Sequence, residues 1–253
     1  MKAVVFDIRV NSLFSIRVPY TWQSALSYVL PPPSSIIGLV ANAVQRYNND
    51  KHPLEYLKQV ENLVEWAGAK LLTPAVTKSY TTSAITKWLY AIGEKATNVL
   101  GRQYVYTKNI RIAIVVNDAS FAEGLKDILK VTPLTCGDSE SLVSVEDVLV
   151  FNAEKLEYKK DEEVVTEYPA ILDFNKIELI NGGGLIYPMH KRCLKAEPTK
   201  TKKGSKGESS YPLYNYILPV SSKECIFYPS SLTFKVKDTI YGYKIDHIGK
   251  VII

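Results

Sequence analysis

Histidine and cysteine are both scarce in this chain, with three of each among 253 residues. His52, His190 and His247 stand apart from one another, and Cys136, Cys193 and Cys225 are widely spaced and odd in number. They build neither a disulfide framework nor a CxxC metal site, and they suit a reducing compartment. Long apolar runs are missing as well. A stretch such as Ile112 to Val116 has the length of a strand, and MKAVVFDIRV leads into no signal-peptide hydrophobic region. A cytoplasmic protein without a membrane partner is therefore expected. The signatures HExxH, GxxxxGKS/T and GxSxG and the EF-hand calcium loop are absent, so neither metal nor cofactor is expected.

What the chain does have is charge, arranged in blocks. The net charge is only +5, but residues 66–116 carry seven basic groups against the single acid Glu94. Residues 190–210 carry seven against two, and between these blocks residues 117–189 carry 15 acids against six bases. One fold can thus turn a cationic face to one partner and an anionic face elsewhere. With 17 tyrosines in the chain, the cationic side has the footprint of a nucleic-acid binder. Solvated loops are the competing reading of each block.

The element pattern points to an α+β fold. Residues 2–10 alternate as a strand, and 11–30 read as an extended aromatic loop. Three prolines at 31–33 then lead to Ser34, a suitable N-cap, and to a helix through Ile36, Ile37, Val40, Ala41, Val44 and Tyr47. A second helix is expected to start at Pro53. Residues 69–116 read as strand and hairpin punctuated by Gly93 and Gly101, and Ser120 with Glu123 resembles a capping box opening a third helix. Residues 143–151 read as the next strand. The resulting order βαββαβ is that of the ferredoxin-like, RRM-like core, expected over residues 1–151, with a mostly β region over 152–253. In that region strands are expected at 164–174, 177–180, 185–189, 213–220, 224–228 and 232–236. Val4, Phe6, Ile8, Ile37, Val40, Val44, Ile112, Ile114, Leu125 and Ile128 are the expected core.

Four groups carry candidate chemistry. Ser34, Ser35 and Gly38 open the first helix, where free N–H groups favour a phosphate; capping and tight packing of Gly38 explain them equally well. Gly137, Asp138, Ser139, Glu140 and Ser141 form a polar turn. Its acids repel phosphate, so it suits a base or a ribose hydroxyl, or else it is simply a turn. Lys87, Trp88, Tyr90, Lys95, Arg102, Tyr104, Tyr106, Lys108 and Arg111 interleave cations with flat rings, as single-stranded RNA binding requires; a half-buried sheet would show the same pattern. Lys191 and Arg192 open the second basic block, with Lys195, Lys200, Lys202, Lys203 and Lys206 beyond, a composition suited to salt-dependent phosphate attraction. If the protein is an enzyme, His190 with Tyr187 and Lys191 is the only local acid–base cluster.

Residues 14–44, FSIRVPYTWQSALSYVLPPPSSIIGLVANAV, resemble the amino-terminal signature of the CRISPR-associated protein five family, whose members belong to the repeat-associated RNA-binding superfamily of Cascade complexes. The aromatic loop with Phe14 and Arg17 and the run PPPSSIIG carry the likeness, and PLTCGDSESLVSVEDV at 133–148 resembles the family's glycine turn. The short, lysine-rich, archaeal style looks most like the type I-A member. The resemblance implies a non-catalytic subunit that holds the 5′ handle of CRISPR RNA, with Arg17 added to the RNA-binding residues. It implies contact with the backbone subunit through a hairpin thumb, placed here at about 69–109, and partnership with the large and small subunits and, indirectly, target DNA. One departure is that the only dense glycines are Gly182-Gly183-Gly184, where the superfamily often has a glycine-rich loop nearer the C-terminus. A metal-independent endoribonuclease that processes CRISPR RNA and a ferredoxin-like interaction scaffold remain the alternatives.

Overall fold

The computed structural model describes residues 1–21, 24–88, 95–138, 140–193 and 212–253, the stretches 82–88 and 95–100 in their backbone alone. β1 (Lys2–Val10) forms as its alternation predicts, and turns with isolated bridges lead past the two-residue β2 (Ser24–Ala25). α1 (Pro33–Asn48) begins earlier than expected. Pro33 occupies the first helical position, where its fixed φ fits and its missing N–H is no loss, so Pro32 is the N-cap. Ser34 already lies inside the helix and does not cap it. At the far end Asn49 turns left-handed, and its N–H bonds the Gln45 carbonyl at 2.8 Å. α2 (Pro53–Leu63) starts on its proline as expected, capped by His52, whose Nδ1 accepts from the Leu54 N–H at 3.3 Å.

Next come β3 (Val64–Leu71), β4 (Ala75–Trp88), β5 (Lys95–Thr107) and β6 (Asn109–Val116). β4 and β5 make one long antiparallel hairpin, and Gly101 sits inside β5 opposite Thr81, so it does not punctuate the strand. α3 (Ala119–Val131) is capped by Asp118, which accepts from the Ser120 and Phe121 N–H groups at 2.8 and 3.1 Å. This corrects the Ser120–Glu123 capping box: the nearer carboxylate takes the free N–H groups, and Ser120 falls within the first turn.

β7 (Leu134–Thr135) and β8 (Leu142–Tyr158) follow, then β9 (Glu163–Thr166), β10 (Ala170–Ile171), β11 (Ile177–Asn181) and β12 (Leu185–His190). The chain closes with β13 (Leu213–Leu218), β14 (Val220–Lys223), β15 (Ile226–Pro229), β16 (Leu232–Val236), β17 (Ile240–Ile245) and β18 (Gly249–Ile252). Two expected strands are interrupted at prolines. The 164–174 stretch is broken around Pro169 and the 213–220 stretch at Pro219, because proline has no N–H to give a ladder. β17 and β18 were not anticipated.

The fold is α+β and mostly strand. The main sheet is antiparallel in the order β18-β17-β8-β1-β6-β3, with β7 added to β8. Strand alternation sends Val4, Phe6, Ile8, Ile112 and Ile114 against Ile37, Val40 and Val44 of α1 and Leu125 of α3, all buried as expected. Ile128 is only partly buried, since α3 turns Ala122, Leu125 and Leu129 fully inward. The other face buries Ala3, Val5, Ala113 and Val115 with Trp66, Tyr168, Tyr243, Ile245 and Val251. The hairpin belongs to a separate sheet of order β14-β15-β4-β5-β2. No helix among the described residues is long and apolar enough to cross a membrane.

Candidate nucleic-acid interface

The loop after β1, one side of α1 from its first turn to its last and the turn after β7 converge on a cavity of about 390 Å³. Arg17, Ser35, Gly38, Asn42, Arg46 and Gly137 line it, and no carboxylate does. Among the described residues each arginine has one anchor: Arg17 donates to the Thr21 carbonyl, and Arg46 Nη1 donates to the Pro133 carbonyl at 3.1 Å. A guanidinium has five N–H donors, so both keep donors for a phosphate or a ribose. The two glycines serve differently. A Cβ built on Gly38 would meet nothing within 4 Å, so this glycine is not there for tight packing on the sheet and leaves the cavity open. Gly137 has φ +96°, and a Cβ there would fall 2.7 Å from the Ser15 carbonyl oxygen, so the turn itself requires glycine.

A second cavity of about 530 Å³ lies on the other side of the same turn. Ser12, Leu13, Tyr80, Tyr104, Asp138 and Glu140 line it. The hairpin register places Tyr80 opposite Arg102 and Lys78 opposite Tyr104, so these four share one face of the ribbon, with Tyr106 further along. Tyr80 and Tyr104 meet edge to face at 5.7 Å, and the Arg102 guanidinium lies 5.1 Å from the Tyr104 ring. Arg102 ties a residue of the first cavity, Ser15, to one of the second, Asp138. Its Nε donates to Ser15 Oγ at 3.2 Å, and its Nη2 pairs with Asp138 Oδ2 at 2.6 Å.

The remaining expected site residues scatter. Ser34 lines a third cavity with Ser35, His190, Arg192 and Cys193, and its carbonyl accepts from Cys193 Sγ at 2.9 Å. Burial, then the nearby Glu61, pushes the Cys193 thiol up to about 12, so it stays a protonated donor. Arg192 Nη1 is engaged by the Glu61 and Val64 carbonyls at 2.8 and 2.6 Å, which ties down the end of α2. Lys191 sits half-buried near Glu65, its pKa lowered by burial and then by Arg192. Arg111 forms a two-point pair with Asp7 of the neighbouring strand, both bonds 2.7 Å. Lys108 is exposed beyond the hairpin root.

Tyr187, His190 and Lys191 do not converge. Along β12, alternation puts Tyr187 on the face opposite His190, and its ring packs edge-on against Tyr28 at 5.4 Å. Lys87 and Trp88 lie on β4 where only the backbone is described. The side chain of Lys95, together with Tyr90, Ser139 and the lysines of 195–206, lies outside the described residues.

Sequence reasoning missed Asn42, Arg46 and Tyr80. The first two continue Ser35 and Gly38 at helical spacing, a polar stripe opposite the apolar face of α1 that periodicity could have exposed. Tyr80 becomes visible only once the hairpin register pairs it with Arg102.

The family model described as CRISPR-associated protein (Cas_Cas5) matches residues 7–209. No protein of curated function matches. A crystal structure of a CRISPR protein from Archaeoglobus fulgidus superposes with a TM-score of 0.63 at 16% identity, covering 100% of both chains. A chain of a type III-B Cmr-beta complex bound to cognate target RNA and AMPPnP gives a TM-score of 0.46 at 10% identity, over 88% of this chain and 85% of that one. A chain of a CRISPR RNA-guided surveillance complex gives 0.40 at 13% identity, over 92% and 88%.

Proposed function

The chain belongs to the CRISPR-associated protein (Cas_Cas5) family, and on that premise we propose that it is a non-catalytic, RNA-binding subunit of a type I CRISPR effector complex. It holds the 5′ handle of CRISPR RNA and docks on the backbone subunit, with the large and small subunits nearby. The observation that carries this reading is the cavity where Arg17 and Arg46 meet Ser35, Gly38 and Gly137 with no carboxylate in its lining. Cationic donors around an open backbone surface suit a ribose–phosphate chain. In the same reading β1, β3, β6 and β8 are the strands of a ferredoxin-like core, supported by their order β8-β1-β6-β3, and the hairpin of β4 and β5 is the thumb.

Fluorescence polarisation of labelled repeat-handle RNA over a salt series tests the proposal. Handle RNA should bind more tightly than a scrambled RNA of equal length. The double variant Arg17→Ala/Arg46→Ala should lower the salt slope by roughly 0.7 for each phosphate contact removed. Equal affinity for both RNAs, or an unchanged slope, would overturn the handle assignment. Cleavage of the RNA in the presence of chelator would overturn the non-catalytic one.

A further inference from the structure

The second cavity carries an inference that rests on the RNA reading and deepens it. We propose that the space between Tyr80, Tyr104, Asp138 and Glu140 receives one unpaired guanine base, stacked on the tyrosines and read by the Glu140 carboxylate.

The cavity is suited to a base and poorly suited to a phosphate. Its lining residues are Ser12, Leu13, two tyrosines and two acids, and the acid that Arg102 does not neutralise, Glu140, repels phosphate. Tyr80 remains 45% exposed, which leaves ring surface to stack on. The two acids differ in what they have left to offer. Asp138 is engaged at both oxygens, by Arg102 at 2.6 Å and by the Ser141 hydroxyl. Glu140 is exposed, and its carboxylate has no hydrogen-bond or ion-pair partner among the described residues.

A free carboxylate presents two acceptor oxygens side by side, so it selects an edge with two adjacent donors. Among the four RNA bases only guanine has that edge, in N1–H and the N2 amino group. Uracil offers one N–H between two carbonyl oxygens. Cytosine and adenine place a ring-nitrogen acceptor beside their amino group, and that acceptor faces the carboxylate unfavourably. The phosphate and ribose of the same strand then fall towards the arginine-lined cavity, since the two cavities share the loop of residues 12–17 and the turn at Gly137 and Asp138.

The test uses the full chain and three labelled RNA nonamers: nine uridines, the same strand with one central guanosine, and the same strand with inosine there. Inosine keeps N1–H and lacks the amino group. The guanosine strand should bind about tenfold more tightly than oligouridine, within the range of one good two-point base contact, and inosine should lose most of that gain. Glu140→Gln should erase the preference, since an amide no longer offers two acceptors side by side. Tyr80→Ala should weaken all three strands alike. Equal binding of the guanosine and uridine strands would overturn the proposal while leaving the RNA reading intact. So would a preference that survives Glu140→Gln, which would put guanine recognition outside this cavity. Failure of every strand to bind would overturn both.

Discussion

Single residues show how differently similar letters are used. Gly38 faces open space inside a helix, so Gly38→Ala should raise stability by about 0.5–1 kcal/mol in urea unfolding, through helix propensity alone. Gly137→Ala should instead destabilise, by about 1–3 kcal/mol, since its φ of +96° and the Ser15 carbonyl both exclude a side chain. The sequence shows two glycines near helix and turn signals, but nothing in it distinguishes the one that leaves space from the one that has none. Arg111 makes the same point: it belongs to a basic block by composition, yet register pairs it with Asp7 two-pointedly. Cys136 is fully buried, and burial, then the nearby Asp138, pushes its thiol up to about 12. Its folded pKa therefore lies above the unfolded value of about 8.5. Its contribution is complete below that pH and is lost as pH rises towards 12. The urea midpoint should fall over that alkaline range, and less so in Cys136→Ala.

At the scale of elements, helices and long strands were legible because their periodicity is local, whereas the breaks depend on backbone chemistry. Pro53 marks the start of α2 in the sequence and in the structure, and Pro169 and Pro219 interrupt strands that composition alone would have carried through. The caps were misassigned because neighbouring residues compete: Asp118 takes the N–H groups that a Ser120 cap would need. Arg192 belongs to the element scale as well. Arg192→Ala should free the Glu61 and Val64 carbonyls and cost about 1–3 kcal/mol in denaturant unfolding. The salt slope of RNA binding should stay unchanged in that variant, separating a strut from a phosphate contact.

At the scale of the whole molecule, the sequence revealed a β-rich second half but not that the chain's end returns to the first sheet. β17 pairs with the far part of β8, and Tyr243, Ile245 and Val251 close the core built on Ala3, Val5 and Trp66. Pairing over so long a separation leaves no local signal. A fragment ending at residue 151 cuts β8 midway, and it should be insoluble or bind the dye ANS, as light scattering and fluorescence would show. The hairpin has a mechanical consequence of its own. Its root is gripped from both sides, by β15 at Ala75–Val76 and by β2 at Gly101–Arg102, whereas beyond Thr81 the two strands pair, among the described residues, with each other alone. It is a cantilever of about 23 Å, at about 3.3 Å per residue, and its fulcrum is Arg102. A load on the arm is thus delivered to the residue that bonds Ser15 and Asp138. An occupant of the cavities that changes how the arm binds a partner must have its own affinity changed by that partner by the same factor.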